Sequence, residues 1–156
     1  MKSTKNSEKA FHWIIEILNR HNVPFIVLGG LAARAYGSTR ELNDIDLVIH
    51  RNDFEKILPE VKDYLIFGPQ MSKDEETEGY SMELEYEGQD IDIGAEEDCR
   101  IFNKKTREWD VLKTNFDADM KEVFGITVPL MKKESIIAEK MMFDRTVDRE
   151  DIEQMQ

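Results

Sequence analysis

The spacing of apolar residues changes period several times along the chain, and each change marks an element. Between Glu8 and Arg20, Phe11, Ile14, Ile15, Ile17 and Leu18 recur at helical spacing. This predicts an amphipathic helix with Ser7 as its cap and Asn22 near its exit. The run from Val23 to Leu28 is short, apolar and rich in β-formers, and it breaks at Gly29-Gly30. It reads as a buried strand, followed by a helix from Leu31 to Tyr36. Ile45 to Ile49 is a second apolar strand. Asn52 or Asp53 then caps a helix carrying Phe54, Ile57, Leu58, Val61 and Leu65, with Pro59 expected to bend or interrupt it.

Further on, Lys73 to Gly79 has no apolar residue and reads as a solvated charged loop. Tyr80, Met82, Leu84 and Tyr86 alternate with Ser81, Glu83 and Glu85, the period of a strand with one wet face. A turn at Gly88-Gln89 returns the chain along Asp90 to Ile93. The pattern weakens between Glu96 and Phe124. There Arg100 to Phe102 and Trp109 to Leu112 are short strand candidates around a basic loop of Lys104, Lys105 and Arg107. Ile126 to Val128 is expected as a last edge strand stopped by Pro129. A helix from Lys132 to Phe143 should bury Ile136, Ile137 and Met141, and Asp148 to Met155 starts another that the chain end cuts short. Interleaved strand and helix signals with one hairpin predict an α/β (α+β) domain over residues 1–156. Its mixed sheet would have about five strands with helices packed on it.

Composition narrows the class. At 156 residues, with 40% hydrophobic and 35% charged residues, the chain can bury a core of ordinary size. No stretch approaches the roughly 20 apolar residues that span a bilayer, and a cytoplasmic location with no membrane partner is the expectation. The single cysteine, Cys99, excludes an internal disulfide and a multi-thiolate zinc site. A formal net charge of -12 opposes broad binding to long nucleic acid. The same acidic surplus allows carboxylates to gather around a cation that bridges the protein to a phosphate.

The segment Gly29 to Ile49, GGLAARAYGSTRELNDIDLVI, concentrates the candidate chemistry. Glycines at a strand end let backbone approach a phosphate closely. Asp44 and Asp46, one residue apart at the mouth of a strand, project from the same face. They are separated by about 6.6 Å of rise, a gap that carboxylates can close onto one ion or an ion pair. Two like charges beside Ile45, Leu47 and Val48 are costly unless a cation neutralises them. The plain alternative makes Asp44 a turn cap and leaves Asp46 wet at a strand end. Asp90 and Asp92 form a second Asp-x-Asp on a strand that can lie beside the first, and either can complete a cluster of three. Arg40 has the planar fork to grip a phosphate, or pairs instead with Glu41 or the aspartates.

GG-x-A, then G-x-x-R, then D-I-D resembles the signature of the nucleotidyltransferase superfamily related to DNA polymerase β, in particular its small bacterial and archaeal members. The ending VPLMKKESIIAEKMMFDRTVDREDI also resembles the family's, with Lys140, Arg145, Asp148 and Asp151 in matching positions. The resemblance implies the nucleotidyltransferase fold, a triphosphate held at Gly29 and Gly30, and magnesium on Asp44 and Asp46. It also implies a third carboxylate, Asp92 in preference to Asp90, and contact of Lys140 with the triphosphate. One or two magnesium ions are implied, with manganese as a substitute. The implied partners are a nucleoside triphosphate, such as ATP, and an acceptor hydroxyl on a small molecule, a tRNA end or a protein. The chain departs from many members in lacking a serine after Gly29 and in carrying Leu42 where a threonine is usual. Those departures keep a second reading open, a non-catalytic nucleotide-binding or toxin–antitoxin-type protein that retains the fold.

Overall fold

The computed structural model describes residues 6–156. Helix α1 (Ser7–Arg20) buries Ala10, Phe11, Ile14, Ile15, Ile17 and Leu18, the stripe its periodicity predicts. Asn6, not Ser7, is the cap: its side chain accepts from the Lys9 N–H. Ser7 lies one position inside, and its hydroxyl donates to Gln89 on the sheet.

Among the described residues nine strands form one mixed sheet, against about five expected. In chain order they are β1 (Ile26–Leu28), β2 (Asp44–Ile49), β3 (Leu65–Lys73), β4 (Thr77–Tyr86), β5 (Gln89–Ala95), β6 (Arg100–Asn103), β7 (Glu108–Val111), β8 (Ala118–Val123) and β9 (Ile126–Met131). They lie in the order β7-β6-β4-β5-β2-β1-β9-β8, with β3 paired to β4. The other α-helices among the described residues are α2 (Gly29–Ala35), α3 (Phe54–Val61), α4 (Lys133–Phe143) and α5 (Thr146–Met155).

The central strands are two-faced. Ile45, Leu47 and Ile49 of β2 and Ile91, Ile93 and Ala95 of β5 are buried, and they pack with α1 and α3 residues in one core. The alternate residues, Asp44, Asp46, Asp90 and Asp92, stand on the opposite face. That alternation turns a core strand into a carrier of carboxylates.

Several expectations need correction. The β4–β5 turn is Glu87-Gly88, both with positive φ, as a two-residue type I′ turn requires. Gln89 is the first residue of β5, fully buried, with its amide donating to the Asn43 and Asp90 carbonyls. The helix expected to reach Leu65 ends at Val61, and Leu65 opens β3. The charged loop shrinks to a tight turn, because Asp74 accepts from the Glu76 and Thr77 N–H groups and lets β4 begin at Thr77. Strand β9 is not an edge. It runs through Pro129, pairs parallel to β1 at Val27 and Leu130, and leaves the edge to β8. In α4, Ile136 is buried as expected, but Lys140 takes the inward place expected of Met141, which is 43% exposed. No helix among the described residues is long and apolar enough to cross a membrane.

Candidate active site

Parallel pairing of β2 with β5 sets Asp44 beside Asp90 and Asp46 beside Asp92. Antiparallel pairing of β1 with β2 sets Leu28 opposite Asp46, so the chain enters Gly29 directly against that aspartate. A cleft of about 660 Å³ opens over this face. Gly29, Gly30, Arg40, Asp44, Asp46, Asp92 and Lys140 all line it, whereas Asp90 does not. The seven residues singled out from sequence are therefore brought together, and of the two candidates for third carboxylate Asp92 is the one in the cleft.

Gly29 has φ +67°, and a Cβ there would stand 2.0 Å from Asp46 Oδ2 and 2.9 Å from Asp46 Cβ. Only glycine leaves room for that carboxylate and accepts that conformation. Gly30 is less constrained: a Cβ would meet Leu42 Cδ1 at 3.7 Å and Arg40 Nη2 at 3.9 Å, ordinary contacts.

The acidic face carries mutual repulsion. Burial, then Asp44 and Glu139, push the Asp46 carboxyl up to about 7, with Lys140 and Arg145 pulling the other way. Burial, then Asp46, Asp44, Glu83 and Asp90, push Asp92 up to about 8. Glu139, a cleft residue on α4, is raised to about 7 mainly by burial. Asp44, Asp46 and Asp92 share this face, but among the described residues no three His, Cys, Asp or Glu side chains converge closely enough to hold a metal ion.

The other end of the cleft is basic and tied to α5. Asp151, fully buried, accepts from Arg40 Nε at 3.2 Å and Nη2 at 2.7 Å, from Ser38 Oγ at 2.7 Å, and pairs with Lys140 Nζ at 2.9 Å. Arg40 thus pairs with a residue outside both alternatives raised from sequence, Glu41 and the aspartate cluster. Asp148, also fully buried, accepts from Arg145 Nε at 2.7 Å and lies 3.5 Å from Lys140 Nζ. The Asp148 carboxylate also accepts from the Arg145 backbone N–H at 3.1 Å, tying down the start of α5, which begins two residues before Asp148.

Sequence reasoning placed Arg145, Asp148 and Asp151 in matching positions without roles, and it passed over Glu139 except as a neighbour of Lys140. A signal for the buried lysine was present: Lys140 lies four residues after Ile136, on the same helix face. Cys99 also borders the cleft, and burial followed by Glu139 and Glu96 pushes its thiol up to about 11, which makes it a poor nucleophile.

No protein-family model matches the sequence, and a search of curated proteins finds no match. Solved structures do match. A crystal structure from Thermotoga maritima, described as that of a nucleotidyltransferase by inference, superposes with a TM-score of 0.69 at 18% identity, over 94% of this chain and 92% of that one. The lincosamide antibiotic adenylyltransferase LnuA, bound to lincomycin, gives 0.64 at 20% identity, over 97% and 98%. The antibiotic-resistance factor ANT(2'')-Ia, in complex with adenylyl-2''-tobramycin, gives 0.59 at 18%, over 95% and 86%. These superpositions show that the chain has the nucleotidyltransferase fold.

Proposed function

We propose that this protein transfers a nucleoside monophosphate from a nucleoside triphosphate to a hydroxyl of a small-molecule acceptor, releasing pyrophosphate. The observation that carries the reading is the register of β2 and β5, which sets two Asp-x-Asp pairs side by side on the face turned away from the core. The donor type suits a hard divalent cation: these are carboxylate oxygens on one face, and burial, then mutual repulsion, holds two of them far above the usual carboxylate range. Asp44, Asp46 and Asp92 would hold magnesium, or manganese in its place, as one ion or two. When bound, the metal supplies charge neutralisation for the triphosphate.

The remaining work falls to the protein. Gly29 and Gly30 let backbone come close to phosphate oxygens, a role that falls to N–H groups where many relatives of this fold use a serine. Arg40 and Lys140 oppose the phosphate charge from the basic end. The acceptor oxygen bonds to the α-phosphorus as the bond to the bridging oxygen breaks, and pyrophosphate departs with that electron pair. Asp92, the cleft carboxylate on β5, takes the hydroxyl proton. A small acceptor suits a cleft of about 660 Å³, which lies within the roughly 300–1,000 Å³ of ligand sites. It also agrees with the lincomycin and adenylyl-tobramycin held by two proteins of the same fold.

Turnover of radiolabelled triphosphate over a panel of hydroxylated acceptors tests the reading. Labelled adduct with matching pyrophosphate is the expected result. Triphosphate binding without turnover on any acceptor would favour the non-catalytic alternative.

The acidic face also sets a pH dependence. Asp46, Asp92 and Glu139 bind protons more tightly folded than unfolded, so the stability they contribute is complete below about pH 4 and is lost as pH rises through about 7 to 8. In chelator, the melting temperature should fall between pH 5.5 and 8.5. Millimolar magnesium should restore most of the loss at pH 8.5, because binding to the folded state alone stabilises it. A melting temperature indifferent to both would contradict the electrostatic account.

A further inference from the structure

Asp151 does not line the cleft, yet the two cations it grips do. Arg40 comes from the segment joining α2 to β2, Lys140 from α4, and Asp151 from α5, so one buried carboxylate ties together three separate parts of the chain. We propose that Asp151 is a positioning residue for triphosphate binding, fixing the Arg40 guanidinium and the Lys140 ammonium along the basic end of the cleft. This rests on the function proposed above.

The geometry supports a positioning role. Arg40 meets Asp151 through two nitrogens, which fixes the plane of the fork and leaves its other N–H groups free to donate. Lys140 is only 7% exposed and cannot swing out to search for a ligand. Burial alone would raise the Asp151 carboxyl, but hydrogen bonds from Arg40, Ser38 and Lys140 hold it well below the usual carboxylate range, so it stays ionised. A second hook holds the same segment. The Thr39 N–H donates to Gln154 Oε1 at 2.8 Å, and Gln154 Nε2 donates to Thr39 Oγ1 at 3.0 Å.

Simple electrostatics predicts the opposite of positioning. Removing a negative charge makes the basic end more positive and should tighten triphosphate binding. If Asp151 positions its partners, binding weakens instead. The test measures dissociation constants of ribose-labelled fluorescent ATP and of the equally labelled AMP, with magnesium, for the native protein, Asp151→Asn, Arg40→Ala, the double variant and Gln154→Ala. Asp151→Asn should weaken ATP about tenfold and AMP much less, because the β- and γ-phosphates carry the contact. Adding it to Arg40→Ala should cost less than the product of the single effects. Gln154 is exposed, so Gln154→Ala should fold normally and lower the ATP-to-AMP preference by about twofold. It carries the test if Asp151→Asn does not fold. A preference that is unchanged or increased in the folded variants, or equal losses for ATP and AMP, overturns the inference alone. Failure of the native protein to bind ATP overturns the proposed function with it.

Discussion

Asp46→Asn should lower nucleotidyl transfer by at least about a thousandfold while making the metal-free protein more stable at pH 8, not less. Asp46 sits at the crossing of every feature of the site. It is opposite Leu28 on β1 and beside Asp92 on β5, and it presses on Gly29. Asparagine keeps the shape but loses the negative charge, so the fold should tolerate it. A side chain whose carboxyl is pushed up to about 7 is under electrostatic strain when ionised, and its removal relieves Asp92 as well. Opposite movements of activity and stability mark a residue kept for function rather than packing. Labelled-adduct formation and thermal melts on the same preparation measure both. A stability loss at pH 8 would assign Asp46 a structural part, and retained turnover would remove it from the chemistry.

The second large effect is expected at Gly29→Ala. At φ +67° an alanine costs about 1–2 kcal/mol in backbone conformation alone. The added methyl would lie 2.0 Å from the Asp46 carboxylate and 2.9 Å from its Cβ. Rotating the carboxylate relieves only the first contact, and the second requires β1 and β2 to move apart. The total should reach about 3 kcal/mol, a fall in melting temperature of roughly 6–12 °C for a chain of this size. Triphosphate binding should be lost with it. Gly30→Ser is the matched control. Its Cβ meets only ordinary contacts, so its stability should stay within about 1 kcal/mol of native. Equal losses at the two glycines would show that the close approach to Asp46 is not what demands glycine at the first.

Much of the site was legible in the chain because its parts are local. The breaks around Gly29, the one-residue spacing of Asp44 and Asp46, and the alternation along Asp90 to Ile93 are all short-range patterns, and the strands keep that spacing. The sheet was less legible. Strand β8 has four consecutive exposed residues and buries only Val123, so it shows no alternation to read. Pro129 reads as a stop for β9, although the strand continues through it to buried Leu130 and Met131. The burial of the basic end was hidden for another reason. Lys140, Asp148 and Asp151 are charged residues on predicted helices, where charge ordinarily means solvent. Their burial follows from pairing with one another and with Arg40, a long-range arrangement that helical periodicity does not encode.

Calorimetric titration of a nonhydrolysable ATP analogue into the native protein, with magnesium and then with chelator, is the most direct test of the claim that carboxylates on β2 and β5 hold a cation that receives a triphosphate. Binding that appears with magnesium, disappears with chelator and is absent from Asp46→Asn is the predicted result. Equal binding with and without magnesium, or full affinity in Asp46→Asn, would contradict it.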